Sequence, residues 1–245
     1  MAFNTIKYEK DGAILTITLN RPERMNAFTV EMAQELVEAI DMADADNDIR
    51  VIILTGEGKA FCAGADLGKG GDTFSAPESE SGEPDWKAIR DTGGVVTLRF
   101  FNCTKPMIGV INGPAVGIGA TMVLPLDIRL AADDAKMGYV FCSRGIVPDG
   151  ASSWFLPQIV GLPQTLEWVL TGRVFPIQDA LKAGLVKSIH PKDQLMAEAR
   201  KIADEIVNNV SAVSAAIARQ MIWRMASKDH PMEAHEHETR GLYWT

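Results

Sequence analysis

Leu15, Ile17 and Leu19 alternate with Thr16 and Thr18, the period-two pattern of a half-buried strand, and Asn20-Arg21-Pro22 ends it as a turn. From Thr29 onward Val30, Ala33, Leu36, Val37 and Ile40 recur at helical spacing. Thr29 is the expected N-cap, and the Asp-rich stretch from Asp41 to Asp48 closes the helix. Val51-Ile52-Ile53-Leu54 is a short unbroken apolar run, as in a strand covered on both faces. Met107-Ile108-Gly109-Val110-Ile111 is a second such run, and residues 127–131 form a third, weaker one. Farther on the pattern turns helical, over residues 166–170, 178–183, 192–207 and 212–226, with residues 186–189 as an extended interruption. Strands alternating with helices predict crossover units in an α/β body, followed by a helical C-terminal portion.

Residues 68–85 break both periods. They are rich in Gly, Ser, Glu and Pro and carry too little apolar surface to offset their own ordering entropy. Two readings stand for them: a mobile flap, or a tolerated surface insertion.

Composition narrows the classes of function. At 245 residues, 47% hydrophobic and 23% charged, the chain has the balance of an ordinary globular protein. Its formal net charge is −8 and its pI is near 5.1, so general binding to nucleic acid or to an anionic membrane is not expected. Cys62, Cys103 and Cys142 are few and widely spaced, which fits a reducing compartment. The first ten residues carry no apolar signal core, and no apolar run reaches membrane-spanning length. A soluble, cytoplasmic protein is expected.

Chemistry concentrates in two glycine-bearing turns, each following an apolar strand: residues 56–67 and residues 112–121. Small residues let a ligand approach the backbone, and an amide at a helix start carries partial positive charge. Two such turns facing each other would offer two N–H donors to one oxygen, an arrangement that stabilises an oxyanion. Tight strand–helix packing is the competing reading of either turn. Neither turn is the dinucleotide fingerprint, and neither has the spacing of a Walker loop. The histidines at 230, 235 and 237 fit no zinc signature and read as a solvated helix end, so no metal is expected. Tyr139 and Cys142 are expected in the core or in a pocket wall.

Arg21-Pro22-Glu23-Arg24-Met25-Asn26-Ala27, the Phe61-Cys62-Ala63-Gly64-Ala65-Asp66-Leu67 segment and residues 111–120 together resemble the crotonase (enoyl-CoA hydratase/isomerase) superfamily. Asp127-Ile128-Arg129, Leu170-Thr171-Gly172 and the stretch from Asp179-Ala180 to Gly184-Leu185-Val186 extend the likeness over nearly the whole chain. The resemblance implies a crotonase-like ββα superhelix, residues 1–190, that binds acyl-CoA. It also implies a helical C-terminal trimerisation region, residues 191–245, in a homo-trimer or dimer of trimers. In the family another helical stretch with a basic residue near the CoA phosphates follows the point matched by residues 241–245; two readings stand, a truncated C-terminal region or a chain that continues past Thr245.

The implied substrate is an acyl-CoA thioester, with no separate cofactor. Its carbonyl oxygen would sit between the backbone amides of Ala65 and Ile118, where an enolate-like intermediate is stabilised. Met25, Ala27, Ala63, Asp66 and Leu67 match the segment that cradles CoA, mainly through the main chain, and Gly117 and Phe141 would line the acyl site. Arg24 could meet a CoA phosphate, or could simply be a solvated surface arginine.

Two departures from the family bear on the reaction. Hydratases of this superfamily place water with two glutamates, and at those positions this sequence has Thr121 and Phe141. Neither transfers a proton near neutral pH, and Phe141 would dry the site. The carboxylate that remains nearby is Asp149, in Val147-Pro148-Asp149-Gly150, which resembles the segment where 3,2-enoyl-CoA isomerases carry their single acid and aryl dehalogenases a nucleophile. Read without the family, Pro-Asp-Gly is a turn, with Asp149 or Ser152 capping the helix that follows. The resemblance therefore implies double-bond isomerisation with Asp149 as acid/base. The alternatives are a hydratase with atypical acids, hydrolase or dehalogenase chemistry through Asp149, and a non-catalytic acyl-CoA binder.

Overall fold

The computed structural model describes residues 3–68 and 89–245; the segment at 68–85 lies outside them apart from Gly68. A six-stranded sheet runs β1-β2-β3-β4-β6-β9. β1 (Ile6–Asp11) pairs antiparallel with β2 (Ile14–Leu19), and every later neighbour is parallel. β3 (Val51–Gly56) and β4 (Met107–Ile111) are the two apolar runs, buried along their whole length as their composition requires. β6 (Ile128–Ala132) and β9 (Ser188–His190) sit within two residues of the weaker signals.

α1 (Val30–Ala45) starts where the pattern places it. The Thr29 hydroxyl accepts from the Met32 amide at 3.1 Å, and Met32, Ala33, Leu36, Ala39, Ile40 and Ala43 form its buried face. α2 (Thr92–Asn102), not among the elements expected from sequence, is capped by Asp91, whose carboxylate accepts from the Gly94 amide at 2.6 Å. β5 (Ala115–Val116), β7 (Lys136–Gly138) and β8 (Val174–Pro176) make a second small sheet, too short in each strand to leave a period. α3 (Ile118–Thr121) follows β5 directly, and α4 (Ser152–Val160), α5 (Leu162–Thr171) and α6 (Ile177–Lys182) come later.

α7 (Lys192–Asn209) lies against β3, β4, β6 and β9 with Leu195, Ala199 and Ala203 inward. α8 (Ala212–Met225) is tied down by one buried side chain, Arg219. Its guanidinium meets Asp127 Oδ2 at 2.7 Å, the Phe100 and Phe101 carbonyls at 3.0 Å each, and the carbonyls of Cys103 and Pro125. α9 (Pro231–Trp244), capped by His230 and containing His235 and His237, packs on α8 and buries none of its own residues. Leu242, Tyr243 and Trp244 are left exposed at its end. Among the described residues no helix is long and apolar enough to cross a membrane, and no cluster of His, Cys, Asp or Glu could hold a metal ion.

Candidate active site

The two glycine-bearing turns lie side by side. Cys62 and Ala115 form a parallel bridge, the Cys62 amide donates to the Pro114 carbonyl at 3.1 Å, and the Val116 amide donates to the Cys62 carbonyl at 3.0 Å. Glycine is needed at the junction, because a Cβ on Gly119 would stand 2.2 Å from the Cys62 carbonyl oxygen. Gly117, at φ 56°, turns the chain into α3 so that Ile118 becomes its first residue. Ala65 and Ile118 thus fall on adjoining turns. Among the described residues, neither the Ala65 N–H nor the Ile118 N–H has a hydrogen-bond acceptor, although the neighbouring amides of Asp66 (to Phe28, 2.8 Å) and Gly117 (to Gly138, 2.9 Å) do. Two unspent donors on adjoining turns are what an oxyanion site requires.

Ala65 opens into a groove of about 350 Å³ lined by Glu23, Arg24, Met25, Ala27, Ala63, Asp66 and Leu67 as well. The groove thus unites the whole set expected to cradle CoA. Its wall is a tight loop in which Met25 (φ 51°) and Asn26 (φ 55°) adopt the left-handed conformation. Asn26, fully buried, holds that shape. Its side chain accepts from the Arg21 amide at 2.9 Å and donates to the Glu57 and Ala60 carbonyls at 2.9 and 2.8 Å. Sequence reading quoted Asn26 within a motif but gave it no role. Asp66 is paired with Arg21 at 2.8 Å and Arg24 at 3.2 Å, and the Arg21 hydrogen bond holds its carboxyl below the ordinary range. The Arg24 side chain is 56% exposed on the groove's lip.

A second cluster gathers at Gly93, the second residue of α2. A Cβ built there would meet Ile118 Cδ1 at 2.5 Å, Asp91 Oδ1 at 3.2 Å and Asp149 Oδ2 at 3.4 Å. The residue that supplies one of the two amides therefore points its side chain at the same spot as the candidate acid. Thr121, one turn along α3, donates to Asp149 Oδ1 at 2.7 Å. A residue read from sequence as a lost acid is in fact the hydrogen-bond partner of the remaining one. Burial pushes the Asp149 carboxyl up to about 6, opposed by the Thr121 hydrogen bond and reinforced by the negative charge of Asp91. Cys62, also near, is a neutral thiol pushed by burial up to about 12.

The capping reading of Asp149 is not what the structure contains. α4 begins after Ala151, in the left-handed conformation, and no side chain caps it. Ser152 is its first residue, and its hydroxyl donates to the Asp149 carbonyl at 2.7 Å. Phe141 and Gly117, expected at the acyl end of the site, are both buried and lie outside the groove that gathers the CoA-cradling residues. Tyr139 is fully buried beside the stacked pair Trp168 and Phe175, whereas Cys142, expected in the core or in a pocket wall, is exposed in a one-turn helix. A larger cavity of about 580 Å³ between the sheet and α7 is lined by Thr16, Thr18, Asn112 and Lys192 among others, and by none of the expected site residues.

Three comparisons bear on this arrangement. Residues 9–243 match the family model described as enoyl-CoA hydratase/isomerase. The enoyl-CoA hydratase ACTT3 of Alternaria alternata is 38% identical over 237 residues, which span 96% of this chain and 76% of that protein. The 1,2-epoxyphenylacetyl-CoA isomerase of Escherichia coli is 33% identical over 193 residues, 79% of this chain and 72% of that one. Among solved structures, a probable enoyl-CoA hydratase/isomerase from Mycobacterium abscessus superposes with a TM-score of 0.88 at 31% identity, covering 97% of this chain and 89% of the other.

Proposed function

This chain belongs to the enoyl-CoA hydratase/isomerase family, with its crotonase-like α/β fold, and on that premise we propose that it isomerises the double bond of an enoyl-CoA with Asp149 as the single acid/base. The observation that carries the reading is the setting of Asp149: a mostly buried carboxyl, raised to about 6, hydrogen-bonded to Thr121 and converging with Ile118 on Gly93.

The CoA part of the thioester would lie in the groove beside Ala65, and the thioester oxygen would accept from the Ala65 and Ile118 amides. The Asp149 carboxylate takes a proton from C2 of a 3-enoyl-CoA, and the electron pair moves onto the thioester oxygen as a dienolate. The same carboxyl then returns its proton to C4, so the C3=C4 bond becomes C2=C3 and no atom is gained or lost. Each amide contributes about 3 kcal/mol to the charged intermediate. A carboxyl that titrates near the working pH serves in both directions. Phe141 and Ile118, both buried and apolar, favour a dry site over one that activates water. No cofactor is needed beyond the CoA of the substrate. Assembly as a homo-trimer or a dimer of trimers through residues 191–245 is part of the proposal; the apolar residues exposed at the end of α9 support it.

Hydration is the second reading, favoured by the hydratase name of the 38%-identical relative. Purified protein incubated separately with 3-enoyl-CoA and 2-enoyl-CoA distinguishes them. Isomerisation without water addition, abolished in Asp149→Asn, is the expected result. Water addition that survives Asp149→Asn unchanged overturns the assignment.

A further inference from the structure

Asp91 carries none of the motifs that identify the family, yet the structure brings it to the acid. Its Oδ1 accepts from the Gly94 amide at 2.6 Å, which is the ordinary work of an N-cap, and also from the Gly150 amide at 3.3 Å, fifty-nine positions along the chain. Thr97, one turn farther on the same helix, donates to the Gly150 carbonyl at 2.9 Å. α2 thus grips both the N–H and the C=O of the residue that follows Asp149. Gly150 has little freedom left: it sits at φ 62°, and a Cβ there would stand 2.9 Å from Thr121 Oγ1. The two successive glycines Gly93 and Gly94 leave room for this. A Cβ on Gly94 would meet Asp91 Oδ2 at 2.4 Å, and one on Gly93 would fill the space that Asp91, Asp149 and Ile118 share.

We propose that Asp91 is a positioning residue of this site, whose carboxylate pins the residue following Asp149 and faces the Asp149 carboxylate across Gly93. The inference rests on the reading of Asp149 as the acid/base. Two consequences follow from one side chain. The hydrogen bond to Gly150 fixes where the Asp149 carboxyl stands relative to Ile118. The negative charge makes ionisation of Asp149 harder, adding to burial and opposing the Thr121 hydrogen bond. Asp91, on α2, is the charged side chain that bears on Asp149 among the described residues; Thr121, on α3, brings a hydroxyl, and Cys62, on the neighbouring turn, brings a thiol that stays neutral.

Asp91→Asn separates the two roles. Asparagine caps a helix as well as aspartate, and its carbonyl oxygen can accept from both amides, so only the charge is lost. Asp91→Ser keeps a cap for Gly94 but is too short to reach Gly150 as well. The carbon-13 titration of the Asp149 carboxyl, assigned by its disappearance in Asp149→Asn, is followed in the free enzyme. The acid limb of kcat/KM for 3-enoyl-CoA is measured beside it. In Asp91→Asn both should move to lower pH, by about half a unit to one unit, with kcat above the limb little changed. Asp91→Ser should lower kcat by about tenfold or more, the effect of a displaced catalytic group, while still folding. An Asp149 titration unmoved in Asp91→Asn, or a serine variant as active as the asparagine one, overturns the role given to Asp91. Isomerisation that persists in Asp149→Asn instead removes the premise, and the carbon-13 titration still tests the contact itself.

Discussion

Replacing Asp149 with Asn should stabilise the protein at neutral pH while abolishing its proposed chemistry, and the size of the gain follows from the carboxyl's surroundings. Burial, reinforced by the negative charge of Asp91, raises its pKa from 3.8 to about 6, against lowering hydrogen bonds of which the one from Thr121 is the larger. At about 1.4 kcal/mol per tenfold change in proton affinity, ionising it in the folded protein costs about 3 kcal/mol more than in the unfolded chain. The sign is set by which state binds the proton more tightly. Between pH 4 and 6 the folded state holds a proton that the unfolded state has lost, so stability from this group is complete below about pH 4 and is lost as pH rises through about 6. Asparagine can still accept from Thr121 and never ionises. Urea denaturation of both proteins at equal protomer concentration, from pH 4 to 8, isolates the difference because every other group titrates in both. The two curves should nearly coincide at pH 4 and separate by up to about 3 kcal/mol in favour of Asp149→Asn by pH 8, or about 6–12 °C in melting temperature. A difference that is flat across that range, or a variant less stable at pH 8, would refute a buried carboxylate at this position.

Two further outcomes test the parts around it. Ile118 opens α3, where proline is tolerated, so Ile118→Pro should fold but remove one amide donor and lower kcat by about 10² to 10³-fold; Ile118→Val, which keeps the amide, should retain kcat within a few-fold, and steady-state isomerisation rates read both. Arg219→Ala should cost about 3–5 kcal/mol by leaving Asp127 and several carbonyls without their buried partner; loss of hydrogen-exchange protection confined first to α8 and α9 would show that this one guanidinium holds the helical arm to the core.

The parts of the fold legible in sequence are those whose burial repeats over a whole element. β2, α1, β3 and β4 each place four or more apolar side chains on covered surface; the strand ends fall within two residues of the pattern, and α1 runs on to Ala45, inside the Asp-rich stretch expected to close it. β1 was silent because it is an edge strand: five of its six residues, Lys7 to Asp11, are partly or fully exposed. α2 is obscured for another reason, although Val96, Phe100 and Cys103 recur at helical spacing. It begins Thr92-Gly93-Gly94, which opposes helix by propensity, and it forms because Asp91 caps it and Val96 and Phe100 are buried. β5, β7 and β8, of two or three residues each, form only once long-range pairing brings them together, so no local window could contain them.

The site divides along the same line. The glycine turns and the groove residues were legible because backbone approach demands particular small residues at particular spacings, and a motif preserves those demands. Thr121 and Asp91 were not, since their roles exist only between elements: a hydroxyl on α3 meeting a carboxyl after β7, and a helix cap whose second lone pair reaches Gly150. The substitutions that look like losses then form one consistent set. Burial strips Asp149 of solvation; Asp91 adds like charge; Thr121 returns part of the stabilisation with a neutral hydrogen bond. A glutamate at 121 would have been a second carboxylate against the same acid and would have driven its proton affinity far higher. Threonine leaves Asp149 near 6, where both the base that takes a proton and the acid that gives it back are populated. A shuttle between two carbons needs both forms of one group, whereas water addition needs two groups in opposite forms, and the proposed isomerisation rests on Asp149, with Thr121 beside it, meeting the first requirement.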